Sequence, residues 1–149
     1  MAAFATGDGW QIHGAAGRRK YLTTDERARF LRMAEPLSPR NRALCHLLVY
    51  AGCRISEALA LTVHHVDAER LTVTIRVGPP RSVIGMLGRP PSDADGRFWP
   101  MRRVTAWRGI KATMRRAGIA GSMACSKGLR HGFGIRAGDR SVPTNLIQC

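Results

Sequence analysis

The stretch YAGCRISEALAL, residues 50–61, decides the fold. The apolar helical pattern that precedes it stops at Gly52, and a second, short pattern then begins with apolar side chains at helical spacing. Arg54 and Glu57 lie three residues apart and are therefore neighbours on the surface of this short helix. Because the amides and the dipole at a helix start favour an anion, Arg54 is predicted to contact a negatively charged group.

A second segment of the same kind is KGLRHGF, residues 127–133. Arg130 lies near the start of a helix that we predict from about Lys127 to Ala137, and Lys127 precedes it by one turn on the same face. Two arginines on one phosphate hold its nonbridging oxygens and stabilise the charge of a pentacoordinate transition state. Lys127 then reaches the same phosphate as a donor or an acid. Arg54, Lys127 and Arg130 are therefore predicted to share one phosphate.

Clear signals of secondary structure lie on both sides of the first segment. A capping box at Thr23-x-x-Glu26 predicts a helix that ends at Pro36, and Ser38 is the predicted N-cap of a second helix. Alternating β-branched residues over 71–76 predict a strand. The first half of the chain is therefore expected to be two helices, the short helix and a strand.

Signals are weaker in the second half of the chain. Residues 78–100 are rich in Gly and Pro, and we predict an irregular loop there with one short strand at most. An amphipathic helix follows over about 102–118, with Val104 on its apolar face. Trp99 and Trp107 are predicted to lie in the core.

The charge of the chain is strongly positive. It has 24 Lys and Arg against 10 Asp and Glu, a formal net charge of +14, and the second half carries most of the excess. Self-repulsion on this scale indicates a polyanionic partner, and double-stranded DNA is the partner we predict. The sequence has no apolar run long enough to cross a membrane, and its four cysteines lack the spacing of a metal site. We therefore expect no membrane association and no metal.

Taken together, the two segments resemble the motifs of the tyrosine recombinase (phage integrase) family. In that family an arginine in a TGxRxxEhhxL segment and a later [HK]xLRH segment form the cleavage pocket. The resemblance extends to Leu22-Thr23-x-x-Glu26 and covers about residues 20–76 and 100–148. It implies a fold that is mainly α with a small antiparallel β-sheet, as in the catalytic core of this family.

The resemblance also implies roles for individual residues. Arg54 and Arg130 match the two catalytic arginines, and Lys127 lies where the family has His or Lys. Glu57 and His131 match residues that support and orient the pocket. Family members cut one DNA strand by attack of a tyrosine, which leaves a 3′-phosphotyrosine and a free 5′-hydroxyl and needs no metal or nucleotide cofactor.

The chain departs from the family pattern at the nucleophile. The family's tyrosine follows an LGH motif that this sequence lacks, and neither Tyr21 nor Tyr50 matches its position. The stretch 77–98 has no lysine to match the family's hairpin lysine. We therefore expect a truncated catalytic core over residues 21–149, preceded by a flexible basic arm over residues 1–20, which does not cut DNA alone.

Three interpretations of the function remain open. In the first interpretation, the chain is part of a recombinase, either as a fragment or as a protomer whose site is completed by a tyrosine from another protomer in a homo-oligomer on DNA. Alternatively it is a non-catalytic DNA-binding remnant, or a basic helix-turn-helix regulator built on residues 23–61. The last of these leaves the Lys127–His131 segment unexplained, so we rank it third. All three place the protein in the bacterial cytoplasm, in association with the nucleoid.

Overall fold

The computed structural model describes residues 13–14, 16–70, 72–73 and 96–139. The α-helices in these ranges are α1 (Thr24–Ala34), α2 (Pro39–Ala51), α3 (Ile55–Leu59), α4 (Arg103–Arg116) and α5 (Ser126–Asp139). A single 3-10 turn, Val63–His65, follows α3. These bounds confirm each predicted helix that lies in the described residues, and the protein is mainly α.

Local hydrogen bonds explain where the first two helices begin and end. The Thr23 hydroxyl accepts the backbone N–H of Glu26 at 3.2 Å, and the Glu26 carboxylate accepts the N–H of Thr23 at 3.0 Å. This reciprocal pair is the predicted capping box. Ser38 caps α2, and Gly52 ends it in the left-handed conformation, with φ of +63°. Glycine adopts this conformation without steric cost.

The sheet is a two-residue antiparallel ladder. Strand β1 (Val66–Asp67) pairs with β2 (Thr72–Val73), and Val66 lies opposite Val73. The Asp67 carboxylate accepts the N–H of Arg70 at 2.9 Å and so closes the turn between the strands. Strand β2 confirms the start of the strand predicted over 71–76. The rest of that strand, and the loop predicted over 78–100 as far as residue 95, lie outside the described residues.

Helix α2 lies at the centre of the fold. It packs against α1, α3 and α5, while α4 packs against α1 and α3. Trp99 is fully buried, as predicted, and its indole N–H donates to the carbonyl oxygen of Arg40 at 2.7 Å. Among the described residues, none of the helices is long and apolar enough to cross a membrane.

The prediction for the apolar face of α4 was wrong at its first turns. Val104 is 56% exposed and Trp107 is 47% exposed, whereas Ala106, Ile110 and Met114 are buried. The small Ala106 allows α4 to pack closely, so the helix turns its two bulky N-terminal residues outward. The Trp107 ring lies 5.9 Å from Lys111 Nζ, a cation–π contact at the surface. The prediction gave preference to large apolar side chains and therefore chose the wrong face of the first turns of α4 as the buried one.

Candidate phosphate-binding site

Helix α5 carries three of the predicted site residues, Lys127, Arg130 and His131. It also contains four glycines in 14 residues, at positions 128, 132, 134 and 138. Two other parts of the chain pack closely against this helix, the end of α2 and the segment before α1. These two contacts determine which side chains lie beside the three predicted residues.

The first approach joins the end of α2 to α5. A Cβ atom added at Gly52 would lie 2.3 Å from Cδ1 of Phe133, so no other residue fits here without displacing the ring. Phe133 follows Arg130 by three residues and is therefore its neighbour on the helix. Arg54 follows Gly52 by two residues. The glycine thus brings the two predicted arginines to the same part of the molecule.

Arg54 begins α3 and is paired with Glu57. The Arg54 backbone N–H donates to Glu57 Oε2 at 2.8 Å, and its Nη1 donates to Glu57 Oε1 at 2.9 Å. Partial burial pushes the pKa of Glu57 upward, but hydrogen bonds from Arg54 and the charges of Arg54 and Arg130 outweigh it and hold that pKa below its usual value. The charge of Arg130 therefore reaches the acid that orients Arg54. The Arg54 side chain remains 54% exposed.

The second approach joins the segment before α1 to the first turns of α5. The Leu22 backbone N–H donates to the carbonyl oxygen of Gly128 at 3.3 Å. A Cβ atom at Gly128 would lie 1.9 Å from the carbonyl oxygen of Met123, and one at Gly132 would lie 3.1 Å from that of Leu22. Gly132 therefore receives the backbone of Leu22, and Gly128 makes room for the Met123 carbonyl group and the Leu22 side chain.

A cavity of about 310 Å³ lies next to this second contact. Helix α5 and the loop before it supply Ser122, Lys127, Gly128 and His131, and the N-terminal segment supplies Gly14, Ala16, Arg18 and Lys20. None of these lining residues is acidic. Burial lowers the pKa of His131, and the positive charges of Lys127, Arg130 and Lys20 lower it further. His131 is therefore neutral at neutral pH, beside three cations.

The five predicted site residues thus fall into two neighbouring groups. Lys127 and His131 line the cavity, whereas Arg54 and Glu57 form an ion pair that is not part of its lining. Arg130 connects the groups, because its charge acts on both Glu57 and His131. Their catalytic roles stay predictions.

Sequence reasoning did not identify two of the lining cations, Arg18 and Lys20, which belong to the predicted N-terminal arm. The capping-box residue Glu26 could have served as a signal, because an acid at a helix start can pair with a nearby arginine. Its partner is Arg19, which precedes the helix and stands between the two lining cations. Arg19 Nη1 and Nη2 donate to Glu26 at 2.5 and 2.6 Å, and Arg19 anchors the residues on either side of it. The boundary at residue 20 and the mobility of the arm stay predictions.

Tyr21, Tyr50 and Cys45 are not among the residues that line this cavity. Tyr50 is half-buried, with its ring 5.9 Å from Cζ of Arg27, and the Tyr21 ring meets that of His13 edge-on. Cys45 is buried, and burial raises its pKa to about 12. Within residues 13–14, 16–70, 72–73 and 96–139, no cluster of His, Cys, Asp or Glu could hold a metal ion.

Comparison with curated proteins finds relatives of one kind. The chain is 30% identical to the tyrosine recombinase XerD of Mycobacterium leprae, over 89% of this chain and 53% of the relative. It is 26% identical to the tyrosine recombinase XerD of Mycobacterium tuberculosis, over 76% of this chain and 44% of the relative. The chain therefore spans about half the length of the curated relatives it matches. No protein-family model matches it.

Comparison with solved structures gives the same answer for the fold. The XerA recombinase superposes with a TM-score of 0.74 at 24% identity, over 86% of this chain and 52% of that structure. The integrase from mycobacterium phage Brujita superposes with a TM-score of 0.61 at 25% identity, over 89% of this chain and 51% of that structure. The fold predicted from the sequence, mainly α with a small antiparallel sheet, is confirmed.

Proposed function

Because the chain belongs to the tyrosine recombinase and integrase family, we propose that it binds double-stranded DNA and holds one backbone phosphate between Arg54, Lys127 and Arg130. The observation that carries this proposal is the approach of Gly52 to Phe133, which sets the start of α3 beside α5. The shared influence of Arg54 and Arg130 on Glu57 supports the same neighbourhood. A phosphate there would be held by charge-assisted hydrogen bonds from both arginines.

The side chains have distinct roles in this proposal. Glu57 holds one edge of the Arg54 guanidinium, and the half-exposed remainder of that group donates to a nonbridging phosphate oxygen. Arg130 donates to the same phosphate from the other side. Lys127 protonates the 5′-oxygen of the DNA strand as it leaves. His131, neutral at neutral pH, orients the phosphate by hydrogen bonding. The reaction uses no metal and no nucleotide cofactor.

The attacking group is the part of the reaction that these residues do not supply. In the family's reaction a tyrosine oxygen bonds to phosphorus while the bond to the 5′-oxygen breaks, and a second 5′-hydroxyl reverses the step. Tyr21 and Tyr50 lie on the N-terminal side of Arg54 and do not line the cavity. The 149 residues alone therefore bind DNA without cutting it. A tyrosine from another protomer on DNA, or from a further segment, completes the site.

The same position of the two tyrosines favours the second candidate, a DNA-binding protein without catalytic activity. Both candidates keep the proposed organisation, a partial catalytic domain over residues 21–149 behind a basic arm over residues 1–20. Both also keep the proposed location, in the bacterial cytoplasm with the nucleoid. A helix-turn-helix regulator on residues 23–61 is less favoured, because α5 and its cations would then have no role.

Two measurements test the proposal. Affinity for duplex DNA should fall steeply as salt rises, because phosphate contacts release counterions; affinity independent of salt would refute DNA binding. Incubation with a nicked suicide substrate should give no covalent adduct with this chain alone. An adduct that appears only when a tyrosine-bearing C-terminal segment is added would favour the recombinase over the non-catalytic candidate. An adduct on the chain alone, abolished by Tyr21→Phe or Tyr50→Phe, would contradict the assignment of the nucleophile.

A further inference from the structure

We propose that Arg18 and Lys20 extend the phosphate-binding site, so that a DNA backbone phosphate lies in the cavity between them and the Lys127–His131 turn of α5. The ion pair of Arg19 with Glu26 positions both cations. This inference rests on the proposed function, because it takes double-stranded DNA as the source of the phosphate.

The lining of the cavity indicates the class of ligand. Its polar side chains are three cations, a neutral histidine and a serine hydroxyl, and its described lining includes no carboxylate. Three cations that line one cavity repel one another when, as in its described lining, no carboxylate accompanies them, and a bound anion reduces that repulsion. Burial has the largest effect in lowering the pKa of His131, and the positive charges of Lys127, Arg130 and Lys20 lower it further. A volume of about 310 Å³ is sufficient for a phosphate group with its ester oxygens.

Arg19 pairs with His13 in an isolated antiparallel bridge, and this β-type backbone explains why its two neighbours face the cavity. In an extended chain, successive side chains point to opposite sides. Arg18 and Lys20 line the cavity, and Arg19 between them points the other way, to Glu26. The direction of Arg19 therefore fixes the direction of its two neighbours.

Contacts on both sides of these residues hold the segment in place. On the C-terminal side, Leu22 is seated on Gly128, and Arg19 Nη1 donates to the carbonyl oxygen of Tyr21 at 3.0 Å. On the N-terminal side, the Gly14 N–H donates to the carbonyl oxygen of Arg18 at 2.7 Å, which closes a tight turn. The two cations are thus carried by backbone that is anchored to α5 and to the start of α1.

The first arm of the test uses inorganic phosphate as the probe. The imidazole proton signal of His131, identified by its loss in His131→Gln, is followed as phosphate is added to the whole chain. We expect saturable binding that raises the apparent pKa of His131 toward its ordinary value. Lys20→Gln should weaken this binding by about three- to tenfold, since it removes one charge-assisted contact. An unchanged His131 signal in the wild-type protein would overturn the cavity as an anion site.

The second arm uses duplex DNA and a matched control. Lys20→Gln should reduce the slope of log affinity against log salt by roughly one. Arg70→Gln removes the same charge from a side chain that is 83% exposed and paired only locally with Asp67. It should leave the slope close to that of the wild type. Equal losses in the two variants would show that net charge alone matters and would overturn the proposal.

The positioning role of Glu26 can be tested by a substitution for which net charge and side-chain positioning predict opposite changes in DNA affinity. Glu26→Gln keeps a capping residue, since glutamine also accepts the N–H of Thr23, but it weakens the hold on Arg19. Because the variant gains one positive charge, long-range electrostatics predicts tighter DNA binding. Positioning predicts binding weaker by about two- to fivefold, and a smaller further weakening in the Lys20→Gln background, where only Arg18 remains to be positioned. Tighter binding in a folded Glu26→Gln protein would overturn the positioning role.

The two arms separate this inference from the proposed function. Salt-dependent DNA binding without phosphate binding in the cavity overturns only the extension to Arg18 and Lys20. Phosphate binding without DNA binding overturns the DNA source and, with it, the proposed function. A thermal melt of each variant shows whether it is folded. In the phosphate arm, His131→Gln serves to identify the signal, and the binding comparison uses Lys20→Gln, which changes a partly exposed side chain outside the core.

Discussion

Helices α1 and α3 begin with the same arrangement, a glutamate at the third position that accepts the N–H of the capping residue and pairs with an arginine. At α1 the pair is Glu26 with Arg19, whose side chains are 11% and 32% exposed. At α3 it is Glu57 with Arg54, whose side chains are 33% and 54% exposed. The first arginine comes from outside the helix and uses both terminal nitrogens. The second is the capping residue itself and uses one.

This difference separates a structural ion pair from one that can still bind a ligand. Glu26 accepts two hydrogen bonds from Arg19, so both terminal nitrogens of that guanidinium already donate within the protein. Glu57 orients Arg54 by one edge and leaves the rest in solvent, where a phosphate can reach it. One local motif therefore serves to fix the chain at α1 and to present a cation at α3.

The largest expected loss of stability comes from a substitution at Gly52, where the end of α2 and the start of α3 meet α5. Gly52→Ala places a Cβ against Phe133 in a backbone conformation that favours glycine, and it should lower the free energy of unfolding by about 3 kcal/mol. Urea denaturation measures this. Gly109→Ala is the control, because a Cβ there meets nothing within 4 Å on α4, and it should stabilise by about 0.5 kcal/mol. Equal effects of the two substitutions would contradict the close approach.

The next largest effect is at the buried pair. Glu26→Ala removes the cap acceptor and the partner of Arg19, and we expect a loss of about 2 kcal/mol in the free energy of unfolding. Asp25→Ala, next in the chain, removes an ion pair with Arg29 from a side chain that is 77% exposed. It should cost less than about 0.5 kcal/mol. A comparable loss at Asp25 would show that the burial of Glu26 contributes nothing.

The pH dependence distinguishes the same pair. Hydrogen bonds from Arg19 outweigh the effect of burial and lower the pKa of Glu26 to about 2. Because this pKa is lower in the folded protein than in the unfolded chain, the stabilisation is complete above about pH 4.5 and is lost as the pH falls toward 2. Unfolding followed across this range should show a steeper loss in the wild type than in Glu26→Gln. Parallel curves would contradict the lowered pKa.

The smallest effect is expected at the exposed pair. Glu57→Gln should change the free energy of unfolding by about 0.5 kcal/mol, because solvent screens a pair with one side chain more than half exposed. The same urea assay compares it directly with Glu26→Gln. If Glu57→Gln proves the more destabilising of the two, the contrast between a structural and a ligand-binding arginine fails.

The sequence predicts this fold well where its signals are local. The Thr23 cap, the Ser38 cap and the left-handed Gly52 each depend on a few adjacent residues, and each is confirmed. The close approach of Gly52 to Phe133 depends on the packing of α2 on α5, which no local pattern contains.

The sequence-based prediction was wrong at the start of α4, where packing decides which side chains are buried. Trp107 is apolar and at helical spacing, yet it is half-exposed, because the small Ala106 occupies the buried face instead. Arg19 stands in a basic run that favours a solvated arm, and its partner Glu26 lies seven residues away across a turn. Lys20 lines the cavity, and Leu22, two residues further on, is hydrogen-bonded to Gly128 of α5. Sequence reasoning therefore did not identify Arg18 and Lys20 as residues that line the cavity.

The four glycines of α5 have a consequence for how the site forms. A glycine in a helix interior is less favourable than alanine by about 1 kcal/mol, so α5 is a poor helix when isolated. It exists because α2 and the Leu22 segment are packed against it. Local opening therefore releases Lys127, Arg130 and His131 together, and amide hydrogens of α5 should exchange with solvent sooner than those of α1. An anion bound between α5 and the N-terminal segment, as proposed above, should slow this exchange.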